Sequence, residues 1–266
     1  MKTFLHKLKQ GLLRCSPGTA ALLTLLLLGS AIWMFAELAD EVLEGETQQI
    51  DTRLLLHFRT TQDLSDPIGP LWIEEIARDT TALGGMGFLT FLSLAMFGLF
   101  LLQKKARYGG LLVLAVVGGL LLSQTFKAGF DRARPDLVPH GSYVHTASFP
   151  SGHSTMSAVV YLTLATMLAS VEPRKRLQAY YVFLAILITL GVGISRVYLG
   201  VHWPSDVAAG WALGAGWALS CHLAVRLYLH LASRKKERRF STVRLQSLSL
   251  ETEKHPSSSA KATANK

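Results

Sequence analysis

The chain has 266 residues, 50% of them hydrophobic and 17% charged, with a formal net charge of +9. Length alone would allow one or two soluble domains, but the apolar residues gather into long uncharged runs, which exclude that class. The basic residues sit at the ends of those runs, so the charge is a topology signal and not a nucleic-acid footprint.

About 18 or more consecutive apolar residues suffice to cross a bilayer. Six runs qualify: Thr19 to Ala36, Gly85 to Leu102, Gly109 to Phe126, Ser154 to Val171, Ala179 to Ile194 and Ser205 to Leu231. The expected fold class is all-α, a polytopic membrane protein with six transmembrane helices in a bundle. Residues 1–18 read as a basic cytoplasmic lead and residues 19–232 as the membrane domain. The first run continues through Trp33, Met34 and Phe35 without a small-x-small cleavage site, so a retained anchor is expected and not a cleaved signal peptide.

Residues 37–84 form a long outer segment that opens with Glu37, Asp40, Glu41, Glu44 and Glu46. Apolar residues recur at helical spacing in Ile50 to Phe58 and in Leu71 to Ile76. This predicts two short amphipathic helices along the outer membrane surface, with Trp72 at the interface. Asp66-Pro67-Ile68-Gly69-Pro70 separates them as a turn, and Asp79-Thr80-Thr81 is expected to cap the second span. As a lid over a lipid headgroup or as a packed collar, the segment fits the sequence equally well.

The second and third runs carry no ionisable side chain, unlike transporter spans, which place such groups near the midplane. In the last run, Gly210-Trp211-Ala212-Leu213-Gly214 is a small-xxx-small pattern that permits close helix approach. Cys15 and Cys221 imply no disulfide. Residues 233–266, basic and then rich in Ser, Thr, Lys and Ala, are expected to be a disordered cytoplasmic tail. Basic residues precede the first run, separate the second from the third and the fourth from the fifth, and follow the last. Those places share one side of the membrane, which the positive-inside rule makes cytoplasmic.

The chemistry concentrates in three connectors. After the third run comes Lys127-Ala128-Gly129-Phe130-Asp131-Arg132-Ala133-Arg134-Pro135, in which Lys127 and Arg134 are cations on the outer side, suited to holding an anion. Arg132 reads as a solvated or structural neighbour. The fourth run is introduced by Pro150-Ser151-Gly152-His153: Ser151 is a good N-cap, Gly152 leaves the backbone bare, and the helix N-terminus attracts phosphate. His153 stands in that first turn. His140 and His145, in the loop before it, read as bystanders. The third connector runs from Ser195-Arg196 to His202 and Asp206. Arg196 offers a phosphate-matching fork, His202 can attack or move protons, and Asp206 can hold its ring if Pro204 starts a helix. Counting spans from a cytoplasmic N-terminus places all three connectors on the same outer face.

Lys127 with Arg134-Pro135, then Pro150-Ser151-Gly152-His153, then Ser195-Arg196 with His202 and Asp206 resembles the three-part signature of the type 2 phosphatidic acid phosphatase superfamily. The resemblance implies a membrane phosphatase for lipid phosphate or diphosphate monoesters. His202, oriented by Asp206, would be the nucleophile and form a phosphohistidine. His153 would act as acid and then base, and Lys127, Arg134, Arg196, Ser151 and Gly152 would bind the phosphate. It implies no cofactor and no metal. The substrates it suggests are undecaprenyl diphosphate, favoured for an outward-facing site, phosphatidylglycerol phosphate, phosphatidic acid or a lipid A phosphate. A lipid-phosphate transporter or phosphotransferase using the same pocket is the alternative. Expected partners are the lipid substrate alone, with no nucleic acid and no obligate protein. The expected location is the plasma (bacterial inner) membrane, with both termini cytoplasmic and the site facing the periplasm or exterior.

Overall fold

The computed structural model describes residues 17–136 and 147–228. Within them the chain is all-helical, with no strand, in this order: α1 Pro17–Glu44, α2 Gln48–Leu56, α3 Leu71–Ala82, α4 Met86–Leu102, α5 Ala106–Gly129, α6 Gly152–Val171, α7 Lys175–Tyr198 and α8 Pro204–Tyr228. Five of these described helices, α1 and α5 to α8, are long and apolar enough to cross a membrane. The protein is an integral membrane protein. A sixth span exists if α3 and α4, bent by 48° at their junction, count as one broken crossing. Residues 1–16, the loop with His140 and His145, and the tail lie outside the described residues.

Two expectations are corrected. The first helix does not stop at Ala36 but runs on to Glu44. The acidic residues there alternate with Leu38, Ala39, Val42 and Leu43, and nothing breaks the helix until Gly45, whose φ of 78° needs a glycine. Asp79-Thr80-Thr81 caps nothing. It lies inside α3, and the residue preceding α4 is Gly85, with no side-chain cap. The chain turns there because α3 lies against α7, and a Cβ on Gly84 would stand 2.3 Å from Val192. The two short helices expected within residues 37–84 are present as α2 and α3. A tight loop joins them, with an isolated bridge between Arg59 and Pro67 and Gly69 at φ 108°.

The centre of the bundle is α6, buried almost continuously from Ser154 to Val160 and again from Thr163 to Ala165. It packs against α4, α5 and α7, and α8 closes over it through glycines. A Cβ on Gly210 would lie 2.8 Å from the Ser151 carbonyl oxygen, and one on Gly214 2.4 Å from that of Thr155. The small-xxx-small pattern therefore sets backbone-to-backbone approach beside the site. Two tryptophans of α8 fasten it to its other neighbours. The Trp211 indole donates to the Thr189 carbonyl at 3.0 Å and the Trp217 indole to the Ala115 carbonyl at 2.8 Å. The chain divides into two units after His222. All of the site lies in the first, and the described part of the second is the last turns of α8.

Candidate active site

Helix ends build the site. At the end of α7, the Gly200 N–H donates to the Val197 carbonyl at 2.9 Å and the Val201 N–H to the Arg196 carbonyl at 3.1 Å. This is a Schellman closure with Gly200 at φ 70° in the left-handed position. It reverses the chain, after which Pro204 opens α8 as its first residue and puts Asp206 in the first turn, one helical turn from His202. Before α6, Ser151 caps the helix by accepting from the Ser154 amide at 3.4 Å and the Ser154 hydroxyl at 3.0 Å. Both contacts use the Ser151 oxygen as acceptor and leave its proton to donate elsewhere. The Ser151 amide donates to the Asp206 carbonyl at 3.0 Å, joining the start of α6 to the start of α8. Buried Phe149, packed with Phe35 and Phe130, fixes the approach to α6 against α1 and the end of α5.

His202 is buried, with Nδ1 3.3 Å from Asp206 Oδ2 and Nε2 3.1 Å from Arg134 Nη1. A guanidinium only donates, so Nε2 must accept and Nδ1 must carry the proton. The ring is thereby held neutral, with its basic nitrogen turned towards the cations. Burial pushes its pKa down to about 4; the charges of Arg134 and Arg196 add to this and Asp206 opposes it. Asp206 is surrounded by donors: Arg132 Nη1 at 2.7 Å, the Trp203 amide at 3.0 Å, the Ser148 hydroxyl and the His202 ring.

The cations gather at this point. Arg134 Nη1 also donates to the Val201 carbonyl at 2.8 Å, and burial lowers its pKa, partly offset by Asp206. Lys127, in the last turn of α5, donates to the Ala147 carbonyl at 2.9 Å, and its Cε lies 3.5 Å from where a Cβ on Gly152 would stand. Arg196, buried in the last turn of α7, donates to Thr81 Oγ1 at 3.2 Å, while its Nε has no hydrogen-bond partner among the described residues. His153 lies within electrostatic reach of Arg196, His202, Arg134 and Lys127, with Gly84 at the α3–α4 break against its Cβ and carbonyl. Every residue singled out on the sequence thus meets at one end of the bundle: Lys127, Arg134, Ser151, Gly152, His153, Arg196, His202 and Asp206. Such a cluster can hold a tetrahedral anion against a neutral imidazole.

Sequence reasoning missed several contributors. Of the two readings given to Arg132, solvated or structural neighbour, the second is the one found. Its side chain is 12% exposed and pairs with both Asp206 and Asp51. Its position two residues before Arg134 in the same loop was the available signal. For Asp51 and Thr81, both in the outer segment, and for Ser148, no local pattern pointed to the site.

Comparison with known proteins agrees with this geometry. The PAP2 superfamily model matches residues 108–228. Phosphatidylglycerophosphatase B of Bacillus subtilis (strain 168) is 40% identical over 149 residues, covering 54% of this chain and 70% of that protein. Lipid A 1-phosphatase of Rhizobium etli is 32% identical over 184 residues, covering 58% and 73%. The crystal structure of a transmembrane PAP2 type phosphatidylglycerolphosphate phosphatase from Bacillus subtilis superposes with a TM-score of 0.64 at 30% identity, over 73% of this chain and 94% of that one. Fold and site together define an integral membrane phosphatase. The chain belongs to the PAP2 superfamily.

Proposed function

We propose that this protein hydrolyses lipid phosphate or diphosphate monoesters at the outer membrane face through a covalent phosphohistidine on His202. The observation that carries the proposal is the His202 ring, with Nδ1 towards Asp206 and Nε2 among the arginines. Lys127, Arg134 and Arg196, with Ser151 and the backbone at Gly152, bind the non-bridging oxygens and draw Arg134 off the imidazole. Nε2 attacks the terminal phosphorus in line, and its P–O bond to the leaving group (the lipid alcohol of a monophosphate, the lipid phosphate of a diphosphate) breaks as the leaving oxygen takes a proton from His153. Asp206 stabilises the charged ring that results. Water then attacks phosphorus, His153 takes its proton, the P–N bond breaks, and phosphate leaves with His202 restored. The fixed cations supply the charge stabilisation that dominates phosphoryl transfer, so the reaction needs no metal.

Six crossings, with α3 and α4 counted as one broken span, would leave both termini on one side, and the basic residues at the ends opposite the site support reading that side as cytoplasmic and the site as outside. Phosphatidylglycerol phosphate is supported as substrate by the names of the similar Bacillus proteins. Undecaprenyl diphosphate is supported by the outward-facing site, which meets that carrier during recycling. Purified protein in detergent should release inorganic phosphate from one of a panel: phosphatidylglycerol phosphate, undecaprenyl diphosphate, phosphatidic acid and lipid A phosphate. His202→Ala should abolish release. Release undiminished in His202→Ala, or no release from any of the four, would overturn the proposal and favour a transporter.

A further inference from the structure

The outer helix α2 reaches the catalytic centre. Its Asp51, 2% exposed, accepts from Arg132 Nη2 at 2.6 Å, from the Ser205 hydroxyl at 2.5 Å and from the Ser205 amide at 2.8 Å. That amide is one of the unpaired N–H groups at the start of α8, so Asp51 caps the helix that carries Asp206 from a segment far away in the chain. Thr47 accepts from the same Arg132 Nη2 at 3.1 Å. The other nitrogen, Nη1, reaches Asp206 and the Ser205 hydroxyl, both at 2.7 Å. One guanidinium is thereby stretched between two buried carboxylates, one on α2 and one on α8, with the Ser205 hydroxyl joining Asp51 to Arg132.

We propose that Asp51 is a positioning residue for phosphoryl transfer, acting through Arg132 and the N-terminus of α8 to fix Asp206 against His202. The proposal rests on the assignment of His202 as nucleophile. The physical case has two parts. With both ends of its fork engaged, Arg132 cannot swing, so Asp206 Oδ1 is pinned and Oδ2 stays directed at the imidazole. The cluster of two carboxylates and one guanidinium also carries a net negative charge, which favours the positive ring formed when His202 takes the phosphoryl group. Asp51 makes none of the described contacts with Lys127, Arg134 or Arg196, so substrate binding and turnover should separate when it is changed. Asp51 lies outside residues 108–228, the part matched by the superfamily, so the outer segment is a component of this chain's active centre and more than a collar.

The test compares wild type, His202→Ala, Asp51→Asn and Ser205→Ala in detergent, measuring kcat, KM and inhibition by inorganic phosphate on whichever panel lipid turns over. Asp51→Asn keeps the size of the side chain and should lower kcat by ~10-fold or more, the scale of lost outer-shell support. KM and the inhibition constant of inorganic phosphate, a ground-state ligand, should stay within about twofold, because only the step that charges the ring is affected. Ser205→Ala removes the bridging hydroxyl, keeps both charges and should lower kcat less, again with KM unchanged. It decides the matter if Asp51→Asn does not fold. Wild-type kcat in the folded variant would overturn the inference, as would parallel loss of kcat and affinity for inorganic phosphate, the mark of a merely structural role. Activity retained in His202→Ala would instead sink the nucleophile assignment beneath it.

Discussion

At the residue scale, the decisive fact is that His202 is neutral and its tautomer fixed from both sides. An ordinary histidine titrates near 6.5; burial, with Arg134 and Arg196, holds this one to about 4. The sign follows directly. A depressed value keeps His202, the nucleophile proposed above, unprotonated as pH falls, so activity limited by its protonation is lost only as pH drops through about 4. The acid limb of kcat/KM is expected well below 6, and a midpoint near 6.5 would show that His202 is not held this way. His153 is the acid and base of the proposed mechanism, so His153→Gln is expected to cost ~10²–10⁴-fold in kcat, the range of general acid–base work. Arg132 separates two buried carboxylates. Arg132→Met leaves Asp51 and Asp206 uncompensated and is expected to destabilise the fold by about 3–5 kcal/mol, read from thermal unfolding in detergent.

At the element scale, the site is made by how helices end and how closely they approach. Gly200 closes α7 and turns the chain towards His202, while Gly210 and Gly214 let α8 lie on α6 so that Asp206 meets Ser151. Gly214→Val would drive a branched side chain into the α6 backbone. It is expected to cost about 1–3 kcal/mol, the usual penalty of overpacking, and to lower activity although no catalytic group is touched. These features were largely legible in the sequence because each is local: a proline that opens α8, a serine that caps α6, glycines four apart. The bounds of α1 and the α3–α4 break were not. Charge ends an apolar run without ending a helix, and the break near Gly84 depends on Val192, distant in the chain. Asp51 was invisible for the same reason, since an acid on an amphipathic helix looks solvated until Arg132 and Ser205 are brought to it by the fold.

At the scale of the whole molecule, apolar membrane-spanning helices carry a polar cluster at one end, and the orientation proposed for them puts that end outside. Orientation is testable by cysteine labelling in intact cells. Gln62→Cys, exposed in the loop between α2 and α3, is expected to react with an impermeant maleimide. Lys175→Cys, at the start of α7, is expected to react only after permeabilisation; the reverse pattern would invert the topology. Activity is expected to survive EDTA and to be blocked by vanadate, whereas loss in EDTA restored by magnesium would replace the fixed cations with a metal. The central claim is that the arginines and lysine from separate connectors present phosphate to His202. The most direct measurement is rapid quench in alkali with a phosphate-labelled lipid, followed by peptide mass spectrometry. The account predicts acid-labile, alkali-stable phosphate on the peptide containing His202, absent from His202→Ala. Phosphate on another residue, or turnover with none trapped and His202→Ala still active, would contradict it.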